Sequence, residues 1–176
     1  MSRGIIVFGQ NGSGKSTVGR ELSYVLNYKY MDIEDYNFIE SEIPYSKERS
    51  RDECRNLMLN DTKKYGSFVL SAVTGDFGDE IVSMYDFGVY ITAPIEIRIE
   101  RVKQRAIKSF GNRVSEGGDM YKANNEFIDF VKRRDLKKPE LWLKTLKCPV
   151  IFVDGTKAVK ENVSLIVQEY LKIFRD

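Results

Sequence analysis

The sequence predicts an α/β fold, a three-layer sandwich in which a five-stranded, mainly parallel sheet lies between helices. Three observations carry this. Short apolar runs alternate with stretches of helical periodicity along the chain. The first run leads at once into a glycine-rich turn that opens a helix. A chain of 176 residues suits one domain, with enough length to cover both faces of a sheet.

The elements follow in order. Ile5, Ile6, Val7 and Phe8 form a continuous apolar run, as in a strand buried on both faces. From Lys15 to Asn27, the apolar residues Val18, Leu22, Val25 and Leu26 make one helical stripe. Lys29 to Ile33 reads as a short strand that ends in the acidic group Asp32, Glu34 and Asp35. Tyr36 to Tyr65 is polar and charged, with Leu57 and Met58 set in a stretch free of Gly and Pro, and reads as helical. Ser67 to Val73 and Gly88 to Thr92 are the third and fourth strands, the latter followed by a helix from Ile95 to about Lys108. Phe110 to Met120 reads as a loose loop. Pro149 to Val153 is the last strand, and a final helix carries Val159, Val163, Ile166, Val167, Tyr170, Leu171 and Phe174 on one stripe.

Composition removes several classes of function. The 28 basic and 26 acidic side chains nearly cancel and are interspersed, without the basic stripe of a nucleic-acid binder. No segment approaches the ~20 apolar residues of a membrane span. Cys54 and Cys148 fit no disulfide or metal-ligand pattern, so a reduced, cytoplasmic protein is expected. Histidine is absent, which removes the commonest general base and metal ligand together.

The motif that carries chemistry is GQNGSGKS, Gly9 to Ser16, which fits G-x-x-x-x-G-K-[ST] between a buried strand and an amphipathic helix. Gly9, Gly12 and Gly14 let the backbone curl around phosphate, so that N–H groups and the positive end of the helix dipole face the anion. Lys15 adds a charge near the β and γ phosphates, and the Ser16 hydroxyl is placed to ligate Mg2+ directly. Asn11, Ser13 and Thr17 complete the expected contacts with ATP. A guanine-reading N-K-x-D segment is missing, and without histidine there is no H-R-D loop of a protein kinase.

The order of features resembles the nucleoside monophosphate kinase and shikimate kinase superfamily. Its phosphate loop is followed by an acidic pair after the second strand, here Asp32 and Glu34, and by an arginine-bearing helix, here APIEIRIERVKQR from Ala93 to Arg105. FGNR, Phe110 to Arg113, looks like the lid of these kinases, and DGT, Asp154 to Thr156, like the loop beside the adenine. The resemblance implies strand order 2-3-1-4-5, a mobile lid at about 106–120 and an acceptor-binding helical region at about 36–65. It also implies Arg105 on the adenine, Arg113 on phosphate, Gly155 and Thr156 beside the base, and Asp32 holding Mg2+ through water.

The residues themselves put Arg98, Arg101 and Arg105 on one side of a helix, able to aim guanidiniums at a transferring phosphoryl group; Arg101 and Arg105, with Arg113 added by the resemblance, are the candidates. Two apart on a strand, Asp32 and Glu34 would share a face at its carboxyl end. Asp32 is then a candidate base, with Asp76 competing for the base or magnesium role. Glu34, Arg55 and Asp76 are the expected acceptor contacts. The function expected is an ATP-dependent kinase acting on a small-molecule acceptor, through a hydroxyl. A nucleoside monophosphate kinase and a nucleotide-binding regulator with slow ATPase activity are the alternatives, and oligomeric state is not legible.

Overall fold

A computed structural model describes residues 3–134 and 137–174. Its strands are β1 (Gly4–Phe8), β2 (Lys29–Asp32), β3 (Phe68–Ala72), β4 (Tyr85–Thr92) and β5 (Val150–Asp154). Its helices are α1 (Lys15–Leu26), α2 (Ile33–Asn37), α3 (Arg51–Tyr65), α4 (Asp79–Val82), α5 (Ile95–Phe110), α6 (Tyr121–Arg133), α7 (Lys137–Leu143) and α8 (Val159–Phe174). The sheet order is β2-β3-β1-β4-β5, and every pairing is parallel.

Strand pleating explains the layers, because successive side chains of β1 go to opposite faces. Ile5 and Val7 join Leu22, Phe87, Val89 and Ile166 under α1 and α8. Ile6 and Phe8 join Met58, Leu70, Ile81 and Tyr85 on the other face. β1 is central and wholly buried, so its carboxyl end, where the glycine-rich turn begins, is supported by a strand on each side. A small separate cluster of Ala106, Val114 and Met120, with Phe110 against it, holds the region after α5.

Three expectations are corrected. Residues 36–65 are not one helical stretch: α2 ends at Asn37, and α3 starts only at Arg51. Ser50 and Glu53 form a capping box that fixes this start. Between the two helices, Phe38 bridges Glu48 in antiparallel fashion, and Tyr45 takes φ 64, a value that breaks helical continuity. The second correction concerns the acidic pair, which does not share a strand face. Asp32 ends β2 and caps α2, accepting the Glu34 backbone N–H at 3.2 Å, so Glu34 belongs to a helical first turn. Thirdly, 110–120 is not a loose loop. It contains a 3-10 turn, Gly111–Val114, closed by the Met120 N–H donating to the Arg113 carbonyl at 2.9 Å.

Candidate active site

The phosphate loop is built by backbone geometry. Gly12 sits at φ 79, and a Cβ there would run into the Arg98 carbonyl, so α5 packs directly against the loop. α1 begins at Lys15 with Gly14 as its N-cap and no side-chain cap. Its first-turn N–H groups therefore lack partners within the helix and face outward as anion donors. They open on a cavity of about 580 Å³ bordered by Gly12, Lys15, Ser16, Arg101, Arg105 and Gly155.

Lys15 Nζ donates to the Gln10 carbonyl at 3.0 Å. Crowding by the surrounding protein holds its pKa down at about 8, against partial relief from Glu34 and Asp32, while Arg105 and Arg134 add to the depression. A desolvated ammonium with two guanidiniums in its field fits an anion of several charges. The triphosphate of ATP is such an anion.

The arginines divide into two kinds. Arg98 is 3% exposed; its Nε donates to the Ala93 carbonyl at 3.2 Å and its Nη1 to Asn11 O at 3.4 Å. Arg101 donates to the Gly155 carbonyl at 2.9 Å and to Gly12 and Ser13 carbonyls at 3.4 Å each. Both hold the loop in shape from behind, and a Cβ on Gly155 would collide with the Ser13 carbonyl that Arg101 grips. Arg105 is different: it is exposed and borders two cavities, the nucleotide-sized one and a second of about 390 Å³ that also includes Glu34.

Asp32 accepts from the Tyr30 hydroxyl at 2.9 Å. Burial, followed by the Asp32 charge, pushes that phenol up to about 12, partly offset by Ser71 and Ser16 beside the same hydroxyl. Tyr30 thus links Ser16 to Asp32. Hydroxyl and carboxylate oxygens are the donors that Mg2+ takes. Ser16 with Asp32 fits it.

Other expected site residues lie elsewhere. Arg113 is bound to Asp119 through Nε at 3.0 Å and Nη2 at 2.7 Å, and reaches across to the Glu42 carbonyl at 3.5 Å. It borders neither of these two cavities. Asp76 is exposed, faces Arg51 at 3.6 Å, and lines a third cavity with Trp142 and Asp86. Arg55 pairs with Asp52 at 3.1 Å and lies against Gly78. Thr156 donates its N–H and hydroxyl to Asp154, at 2.8 and 2.7 Å, while Gly155 borders the nucleotide cavity.

Two residues escaped the sequence reading. Arg134, just after α6, donates to Asn11 Oδ1 at 2.8 Å, bringing a cation to the phosphate loop from 123 residues away. Tyr45 lies in the second cavity beside Glu34, whose charge, after burial, raises its phenol pKa. The Phe127, Ile128 and Val131 spacing could have revealed α6, though not that Arg134 at its end meets the phosphate loop. Nothing local singles out Tyr45.

Residues 5–120 match the family described as AAA domain. The chain belongs to that family. This AAA-domain chain is 28% identical to the uncharacterized protein YqaC of Bacillus subtilis, over 97% of its own length and 98% of that protein. It is 32% identical over 123 residues to a cytidylate kinase of Pyrobaculum islandicum, covering 64% of this chain and 65% of that one. In fold it resembles the shikimate kinase of Acinetobacter baumannii, solved with shikimate, at a TM-score of 0.60 and 17% identity, with 100% and 97% of the two chains covered. The AAA-domain chain thus has the fold of the P-loop small-molecule kinases, with the strand order that the resemblance implied.

Proposed function

We propose that the protein is an ATP-dependent kinase that transfers the γ-phosphoryl group of ATP to a hydroxyl group of a small-molecule acceptor. The observation that carries this reading is the position of Arg105 between two adjoining cavities. One is lined by the phosphate loop with Lys15 and the other by Glu34, and the charges of Glu34 and Asp32 both act on the Lys15 ammonium.

In this reading the α1 N-terminus and Lys15 bind the β and γ phosphates, and Gly155 borders the base. Ser16, directly, and Asp32, through water, would hold Mg2+, which neutralises charge on the phosphate oxygens when bound. Asp32 accepts the acceptor's hydroxyl proton. The hydroxyl oxygen bonds to the γ phosphorus as the bond from that phosphorus to the β–γ bridging oxygen breaks, and ADP leaves. Arg105 and Arg134 balance the charge that develops, and Arg98 and Arg101 act as positioning residues by fixing the loop. Residues 106–120 serve as the lid, which excludes water that would otherwise take the phosphoryl group. Two free cysteines and a near-neutral charge balance suit a cytoplasmic setting.

A nucleoside monophosphate acceptor is the second reading, favoured by the similarity to the Pyrobaculum cytidylate kinase. ADP release with Mg–ATP should be measured over neutral alcohols, amino alcohols, sugars, hydroxy acids and nucleoside monophosphates. Stimulation by hydroxyl compounds supports the first reading, and stimulation by monophosphates alone supports the second. Slow ADP release that no acceptor raises would point to a nucleotide-binding regulator.

A further inference from the structure

The second cavity has a chemistry of its own. Its walls include four aromatic rings, Phe38, Tyr45, Phe110 and Phe127, together with two carboxylates, Glu34 and Glu48. Three of the rings stand nearly perpendicular in series. Phe38 and Tyr45 have centroids 5.2 Å apart at 80°, and Tyr45 and Phe110 are 6.5 Å apart at 83°. Rings arranged this way present both edges and faces to whatever lies between them, and the face of an aromatic ring attracts cations. The only basic residue bordering the cavity, among the described residues, is Arg105, and it also borders the nucleotide cavity. Once that guanidinium engages phosphate, the walls of the second cavity are aromatic and acidic.

The ring at the centre of this arrangement is held in place at a conformational cost. Tyr45 occupies the left-handed region at φ 64, which a bulky residue adopts only when its surroundings enforce it. Two serines do so: the hydroxyls of Ser41 and Ser46 both donate to the Ile43 carbonyl at 2.7 Å and lie 3.1 Å from each other. The lid closes the far side, where Arg113 meets the Glu42 carbonyl and Phe110 meets Tyr45. A tight turn dedicated to one aromatic side chain, facing an acidic residue next to the phosphate loop, is a recognition element.

We propose that this cavity is the acceptor site and that it selects an amino alcohol: a hydroxyl compound with an aromatic or alicyclic body carrying a protonated amine. This rests on the kinase reading above and names its acceptor class. The rings enclose the body and the ammonium, Glu48 and Glu34 supply the counter-charge, and the hydroxyl points toward Asp32. Carboxylate or phosphate groups on the acceptor would instead confront two like charges across apolar walls, with no basic side chain besides Arg105 among the described residues bordering the cavity.

A series with one body and three charges tests this directly. 2-Amino-1-phenylethanol, 1-phenylethane-1,2-diol and mandelate share a phenyl ring and a benzylic hydroxyl, and differ in carrying a cation, no charge and an anion. Binding of each to the full chain is measured calorimetrically with Mg2+ and a non-hydrolysable ATP analogue present. The amino alcohol should bind at least about tenfold more tightly than the diol, with mandelate weakest. Glu48→Gln, a change at an exposed position, should erase the preference of cation over diol while leaving diol affinity within about twofold, and Tyr45→Ala should weaken both. Mandelate binding as tightly as the amino alcohol, a charge preference unmoved in Glu48→Gln, or no binding by any of the three would overturn the assignment. If the analogue binds and another acceptor class is phosphorylated, the kinase reading stands and this assignment falls. Failure of the wild-type chain to bind the analogue brings down both.

Discussion

The two halves of the cleft are built by opposite means. The nucleotide half is made of backbone: an uncapped helix terminus, glycines at positive φ, and carbonyls clamped by Arg98 and Arg101. The second cavity, proposed as the acceptor half, is made of side chains from three separated segments, residues 34–48, α5 and residues 114–127. Backbone geometry is set locally by a short run of sequence and anchored to the rigid centre of the sheet. Side-chain walls depend on how distant segments pack. One half is therefore generic for phosphate, and the other is free to vary with the acceptor.

Substitutions should separate the halves. The largest effect is expected from Lys15→Ala, which removes the cation at the transferring phosphoryl group. We expect transfer to fall by at least about 10²-fold, with a clear loss of ATP-analogue affinity. Asp32→Asn should come next, lowering kcat by roughly 10²- to 10⁴-fold through loss of the base, with a smaller rise in the KM for Mg–ATP from its weakened hold on Mg2+. A rise in KM with kcat unchanged would leave Asp32 the Mg2+ role and remove it as the base. Arg101→Ala should raise the KM for ATP about tenfold with a smaller change in kcat. Arg101→Lys should rescue it poorly, since an ammonium cannot span three carbonyls as a planar fork does. The smallest effect is expected at the lid. Arg113→Ala breaks an exposed pair with Asp119 and should leave the melting temperature unchanged within error.

Lys15 also predicts a pH dependence. Its folded pKa of about 8 lies below the ordinary 10.5, so between these values the unfolded chain binds more protons. Ligand-free stability should therefore gain with rising pH across that window, relative to Lys15→Met. A bound triphosphate restores the charge, so ATP should bind with proton uptake near pH 8.5, measurable by titration calorimetry in buffers of different ionisation enthalpy. Lys15→Met should show no such uptake.

The same division governs what could be read before the structure. The five strands and the phosphate loop were legible: β1 and β3 are buried throughout and largely apolar, β2, β4 and β5 stand out as short runs between helical stretches, and the loop writes its glycines at fixed spacing. The acidic pair was misplaced. Asp32 is a capping residue, and caps disrupt the strand periodicity from which the shared face was inferred. The stretch of 38–50 hid a bridge and a strained turn inside polar sequence, where no hydrophobic period exists to follow. Arg134 escaped for another reason: its partner Asn11 is distant in the chain, and only the fold brings them together.

The central claim is that the cavities on either side of Arg105 are donor and acceptor halves of one phosphoryl-transfer site. The most direct test follows the phosphorus atom, by incubating the wild-type chain with γ-labelled ATP, Mg2+ and a pooled extract of small hydroxyl compounds, then tracing the label. The account predicts a new acid-stable phosphate ester whose formation is lost in Lys15→Ala. Label appearing only as inorganic phosphate, at a rate indifferent to the extract, would contradict it.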